Sequence, residues 1–269
     1  MNALRFWLAV VLLPGSLGAA APGEMAAVLV HGKQGSPTRD MTKLAAALRE
    51  RGYAVATPTM PWAEDRIYAA HYAAALAQLD QEVTGLRRRG ARSVVMVGFS
   101  LGANGALGYA AVHPGLAGLV LLAPGHFPEN PLYQQQVAAE RARALRLLEA
   151  GQGAKPVAFQ DSIQGVMINV RATPAIYLGY TDPAGPAVMA RNAALIPAPL
   201  PILLIQENNP AVAAADAAIF RAAPADSRSR YRRSEVDHMA VPDAAIPEIL
   251  AWLLTLSESV PPHSPPAHR

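Results

Sequence analysis

The sequence predicts an α/β fold: a mostly parallel sheet of about six strands, flanked by helices and carrying an inserted cap. Three observations carry this. Short apolar runs alternate with stretches of 3.6-residue periodicity, the apolar runs show no polar face, and one long block interrupts the alternation. The first four runs are Ala26 to Gly32, Tyr53 to Thr59, Ser93 to Ser100 and Leu116 to Gly125, and a fifth is Pro201 to Gln206. Between the first two, Met41, Leu44, Ala45 and Leu48 mark one helical face that stops at Gly52. Between the next two, Asp65 to Arg89 reads as a helix with Tyr68, Tyr72, Leu76, Leu79, Val83 and Leu86 on its apolar stripe. Strand, helix and strand in repetition imply right-handed parallel crossovers.

The alternation breaks after Gly125. About seventy residues, 126 to 196, separate two strands and are too many for a simple crossover, so they read as a cap over the sheet edge. They contain a helix over Pro131 to Ala150 and a stretch, Asp161 to Pro186, whose pattern fits neither period. A weak polar strand near Ser229 to Ser234 and a helix over Ala244 to Leu256 close the domain, which spans 22–256. The Pro-rich tail, 257–269, is expected to be disordered.

Composition narrows the function classes. A chain of 269 residues with 52% hydrophobic side chains builds a sizeable core, and the formal charge of +3 is mild. The arginines come in short bursts, 87–89 and 228–233, without interleaved aromatics, which reads as a solvated basic face rather than a nucleic-acid surface. The absence of cysteine removes disulfides, thiolate metal sites and a cysteine nucleophile. Neither a metal-ligand spacing nor a phosphate-binding glycine loop is visible, so no cofactor or metal is expected. At the N-terminus, Arg5, an apolar run from Phe6 to Leu17 and the small residues before Pro22 read as a signal peptide over 1–21, cut after Ala20 or Ala21. The run is too short to span a bilayer, which leaves no transmembrane segment after cleavage and implies a periplasmic or secreted protein. Nothing in the sequence speaks to its oligomeric state.

The chemistry concentrates at Gly98-Phe99-Ser100-Leu101-Gly102. G-x-S-x-G alone recurs by chance in roughly one chain in ten of this length, so context decides. Here a buried strand leads straight in and a helical pattern, Leu101 to Val112, leads straight out. A serine at such a turn is forced into a strained backbone that projects its hydroxyl, and a side chain at either flanking position would collide across the turn. The helix N-terminus aims free N–H groups, that of Leu101 first, at any oxyanion formed there.

On these residues the chain resembles the α/β-hydrolase superfamily over nearly its whole length after the leader, in the minimal form that begins at the third strand of the full fold. The resemblance implies an esterase-like serine hydrolase acting on a small-molecule ester or related acyl bond, with no nucleic acid involved. His31-Gly32 would open the loop that supplies the second oxyanion donor, from the N–H of Lys33 or, less favourably, Gln34. The order of the family, Ser then acid then His, selects His238, between the last weak strand and the final helix. Its rivals sit in worse places: His71 in the second helix, His113 at the end of another, His126 before any plausible acid, His263 and His268 in the tail.

The acid stays open. Where the family commonly has Asp before Pro, this chain has Asn209 before Pro210, 29 residues ahead of His238. An amide orients an imidazole but does not stabilise its protonated form, and in a serine protease the Asp to Asn change costs about 10⁴ in rate. Glu207 on its longer arm, or Asp182, Asp216 or Asp237, could serve instead; with Asn209 itself in the triad the enzyme would be slow or dead. That last case leaves a non-catalytic binding protein as an alternative, and an acyltransferase built on the same acyl enzyme as another. Met60, Pro61 and Trp62, at the C-terminal end of the second strand, are candidate pocket walls, Met60 and Trp62 above all, although Trp62 could instead pack the cap onto the sheet.

Overall fold

The structure, a computed structural model, describes residues 24–257. The signal segment and the tail from residue 258 onward lie outside the described residues. Six parallel strands form the central sheet: β1 (Met25–Val30), β2 (Ala54–Ala56), β3 (Ser93–Phe99), β4 (Gly118–Leu122), β7 (Ile202–Gln206) and β8 (Arg230–Arg233), in the order β2-β1-β3-β4-β7-β8. Between β4 and β7 the chain forms an antiparallel hairpin in the cap, β5 (Val157–Ile163) and β6 (Val166–Ala172).

Both faces of the sheet are covered, as the uninterrupted apolar runs require. In β1, Ala26, Val28 and Val30 face one layer, while Met25, Ala27 and Leu29 face the other. The first layer is built by α2 (Tyr72–Arg88), α3 (Leu101–Val112) and α7 (Pro210–Ala222); the second by α1 (Thr42–Glu50), α8 (Val241–Ala244) and α9 (Ile246–Ser257). Because all strands are parallel, their C-terminal ends share one edge, and Ser100, Gly125 and Glu207 follow β3, β4 and β7 there.

The cap holds α4 (Pro131–Glu149), the β5–β6 hairpin, α5 (Pro174–Thr181) and α6 (Met189–Ala194). The stretch without a readable period resolves into that hairpin and α5. Its two-residue turn, Gln164-Gly165, has positive φ at both positions, 49° and 82°, which matches strand twist and closes the Ile163–Val166 pair. Helix α5 starts with a Thr173 cap and Pro174 at its first position.

The second helix differs from expectation. Helix α2 begins at Tyr72, not Asp65, and His71 is its N-cap residue rather than an interior one. The residues ahead of that cap form a loop that pushes Tyr68 under the cap domain, where it stacks on Tyr180 at 4.0 Å. The final helix starts within two residues of its expected place, and the segment His238–Ala244 ahead of it meets Ile246–Leu256 at 52°. No single helix among the described residues is long and apolar enough to cross a membrane.

One buried group weakens this fold. Asp216 on α7 is fully buried and neither carboxyl oxygen has a hydrogen-bond partner. Burial, helped by the charge of Glu207, pushes its pKa up to about 8. The folded chain therefore holds a proton that the unfolded chain releases, so stability falls as pH rises from about 3.8 to about 8. Asp216→Asn is expected to match the wild type in Tm near pH 4 and to exceed it by on the order of 10 °C at pH 8 to 9, read by thermal denaturation across pH.

Candidate active site

Ser100 stands at the junction of β3 and α3 with φ 55° and ψ −120°, a conformation that costs a non-glycine residue about 1–3 kcal/mol. Its N–H donates to the Leu122 carbonyl at 3.0 Å, and its own carbonyl accepts from Ala103, Asn104 and Gly125. The flanking glycines are sterically required. A Cβ on Gly98 would lie 2.2 Å from the Gly102 carbonyl oxygen, and one on Gly102 would lie 2.1 Å from that of Val30. Two further glycines bracket the side chain: a Cβ on Gly32 would approach Ser100 Cβ at 3.2 Å, and one on Gly125 would reach Ser100 Oγ at 2.7 Å. Gly125 is absent from the residues that sequence reasoning selects, and its place just past a strand's C-terminal end is the signal that could have found it.

His238 opens a short 3₁₀ turn, His238–Ala240, and packs its ring on Phe99 at 4.8 Å. Its Nδ1 lies 2.5 Å from Glu207 Oε2, with both side chains largely buried. The tautomer with its proton on Nδ1 donates to Glu207 and leaves Nε2 as the free acceptor. Ser100, His238 and Glu207 line one cavity of about 720 Å³. Among the described residues no hydrogen bond joins Ser100 to His238 directly.

The structure separates the candidates for the acid. Glu207 directly follows β7 and faces His238. Asn209 does not reach the imidazole: its Oδ1 caps α7 by accepting from the Ala211 N–H at 3.0 Å, and its Nδ2 donates to Glu207 Oε1 at 3.1 Å. Asn209 thus orients the carboxylate beside it. Asp182 belongs to the cap, where it accepts from Ala184 and faces Arg141; Asp216 is buried without a partner; Asp237 lines the cavity but makes no hydrogen bond to His238.

Two backbone donors are open. The N–H of Leu101, at the first position of α3, has no intrahelical acceptor. The N–H of Lys33 has none among the described residues, and Lys33 lines the cavity. Gln34 drops out, because its N–H donates to the Trp62 carbonyl at 2.9 Å. His31 is a strut of this loop: Nδ1–H donates to the Gly32 carbonyl and Nε2 accepts from the Met60 N–H. Burial holds its pKa below the usual imidazole range, which keeps it neutral for that double role.

Met60 and Trp62 are corrected as pocket walls. Both are fully buried and lie outside the cavity lining. Trp62 donates to the His31 carbonyl at 2.9 Å, fills the space over Gly105 of α3, and meets Tyr180 of the cap edge-on at 6.4 Å. It packs cap onto sheet, as an indole with a satisfied N–H does. The cavity walls come instead from the cap, among them Phe127, Tyr133 and Ile163, and from His126, whose pKa burial and the Lys33 charge push down to about 3. Among the described residues no group of three or more His, Asp or Glu is arranged to hold a metal ion.

Residues 27–265 match the family model described as alpha/beta hydrolase family. No curated protein matches the chain in sequence. In structure it is similar to LipS and LipT, described as metagenome-derived lipolytic enzymes, at 18% identity and TM-score 0.63, covering 86% of this chain and 94% of the other. It is similar to a monoacylglycerol lipase of Paleococcus ferrophilus at 17% identity and TM-score 0.62, covering 86% and 94%. A thermostable carboxyl esterase of Bacillus coagulans shares 14% identity and TM-score 0.59, covering 86% and 88%. At these identities the likeness concerns the fold.

The glycines around Ser100 differ in what would yield to a side chain. Gly98→Ala and Gly102→Ala press on backbone and are each expected to cost about 3 kcal/mol or more in urea unfolding. Gly125→Ala meets only the Ser100 hydroxyl, which can turn, and is expected to stay within about 1 kcal/mol of the wild type.

Proposed function

We propose that this chain, which belongs to the alpha/beta hydrolase family, hydrolyses a carboxylic ester or related acyl bond through Ser100, His238 and Glu207. The observation that carries the reading is the 2.5 Å contact of His238 Nδ1 with Glu207 Oε2 in the cavity that also holds the strained Ser100.

In this mechanism Ser100 Oγ attacks the carbonyl carbon while His238 Nε2 takes the hydroxyl proton. The oxyanion is held by the N–H groups of Leu101 and Lys33. Glu207 accepts from Nδ1–H and stabilises the imidazolium, which then gives its proton to the departing alcohol. Water, deprotonated by the same Nε2, attacks the acyl enzyme and releases the acid. The non-catalytic alternative drew its support from Asn209 as the triad residue; an Asn209 that caps α7 and supports Glu207 withdraws that support. Transfer of the acyl group to an added alcohol instead of water is the remaining variant, separated by product analysis. The N-terminal segment, with its basic start, short apolar run and small residues before Pro22, supports export to the periplasm or the outside.

A fluorophosphonate probe is expected to label the wild type at Ser100 and to leave Ser100→Ala unlabelled; label that survives the substitution removes the nucleophile assignment. Glu207→Gln is expected to lower kcat for p-nitrophenyl acetate by about 10⁴. Asn209→Asp is expected to lower it too, by about tenfold, because it sets a second carboxylate against Glu207. A large gain in Asn209→Asp would move the acid to position 209. For export, N-terminal sequencing of the mature protein is expected to begin at Ala21 or Pro22, and an intact Met1 start in the exported fraction removes the signal-peptide reading.

A further inference from the structure

Lys33 carries a backbone donor, but its side chain has a separate destination. It crosses from the loop after β1 into the cap, where Nζ donates to Asp161 Oδ2 at 2.7 Å and to the Ser162 carbonyl at 3.1 Å. Both partners of this ion pair are buried. Asp161, on β5, also accepts from the Tyr68 hydroxyl at 2.5 Å, the Tyr133 hydroxyl at 2.7 Å and the Ser162 N–H at 2.7 Å. Four segments distant in sequence meet on one carboxylate: the loop after β1, the loop before α2, helix α4 and the cap hairpin.

The backbone around Lys33 explains why such an anchor matters. The peptide that carries the Lys33 N–H is held at its glycine end, where the Gly32 carbonyl accepts from His31 Nδ1–H at 2.9 Å and from the Gly35 N–H at 3.0 Å. The Lys33 N–H itself has no acceptor among the described residues, so the other end of this peptide is placed by Lys33 Cα. The neighbouring peptides are fixed, Gly32 by its N–H to Asp40 Oδ2 at 3.2 Å and Gln34 by its N–H to Trp62.

Resting on the Ser100 reading, we propose that Lys33 is a positioning residue: its side chain, anchored on Asp161 of the cap, fixes the turn that presents the Lys33 N–H to the oxyanion. Moving Lys33 Cα away would drag Nζ from Asp161 and split a buried ion pair. The cap thereby sets the geometry of an oxyanion donor as well as the shape of the cavity. A cap that loosens from the sheet loses catalysis along with its walls.

The test compares Lys33→Met with Lys33→Met/Asp161→Asn in p-nitrophenyl acetate hydrolysis, fluorophosphonate labelling and thermal denaturation. Lys33→Met is expected to lower kcat by about 10²-fold with KM within about threefold of the wild type, and to slow labelling in parallel. It also lowers Tm, because Asp161 keeps its charge without its cation. The double variant removes the orphaned charge and keeps one amide oxygen as acceptor, with its NH2 turned to the other tyrosine's hydroxyl oxygen, so Tm recovers in large part while kcat stays low. A kcat that returns with Tm in the double variant makes the pair merely structural and overturns the proposal. So does a Lys33→Met enzyme within about threefold of wild-type kcat while Ser100 still takes the label. A wild-type chain whose Ser100 takes no label overturns the Ser100 reading and this inference together.

Discussion

Ser100 holds a backbone conformation that a residue with a side chain resists, and the architecture around it consists largely of what makes that conformation tolerable. Strand β3 must end and α3 must begin within one residue, so Gly98 and Gly102 pass each other with no room for a Cβ. Helix α3 is then driven into the middle of the molecule, and every residue from Leu101 to Ala110 is buried. Such a helix packs on all sides only if its side chains are small where neighbours come close. Gly102 meets the Val30 backbone, Gly105 the Trp62 indole and Gly108 the Tyr72 hydroxyl. The hydrogen bonds of Ser100 to Leu122 and Gly125 close the turn and tie it to β4, so the strain is carried by the sheet and not by a free loop.

Two buried carboxylates show how the fold distributes charge around that turn. Burial raises the pKa of both, yet Asp161 ends at about 2 and Asp216 at about 8. The difference is partners. Asp161 collects a cation and three hydrogen-bond donors, which outweigh desolvation and keep it ionised; Asp216 collects none and faces the charge of Glu207, so it takes up a proton instead. The first serves as a joint between cap and sheet. The second destabilises the fold close to the residue that supports His238.

What could be read from the sequence was whatever depends on neighbours in the chain. Strands buried on both faces announce themselves as apolar runs, and the cores of β1, β3, β4 and β7 lie inside the runs expected of them. The strand-turn-helix setting of Ser100 is equally local. The cap was less legible because its elements owe their form to each other. Residues Phe159 to Met167 alternate poorly, and only pairing with β6 makes Val157–Ile163 a strand; the Gln164-Gly165 turn was the one local clue. Helix α7 had a clear start signal in Asn209-Pro210, an N-cap followed by proline at the first helical position. Comparing Asn209 with a family acid hid that reading. Trp62 was placed correctly beyond the end of β2, but nothing local says whether an indole there faces a cavity or a helix glycine.

Glu207 is the residue whose position sequence spacing could least decide, and there is a physical reason for the pair Glu207 and Asn209. Glu207 directly follows β7, two residues ahead of the helix cap, and reaches His238 Nδ1 from there at 2.5 Å. With the acid supplied from there, position 209 is released to cap α7, which an amide does as well as a carboxylate. The amide then has the advantage, since an aspartate would add a third carboxyl beside Glu207 and Asp216 where burial already forces one of them to stay protonated. Asn209 gives its oxygen to the Ala211 N–H and its nitrogen to Glu207 Oε1, leaving Oε2 directed at His238. Glutamate and asparagine at these two positions are therefore one arrangement: each is workable because the other is where it is.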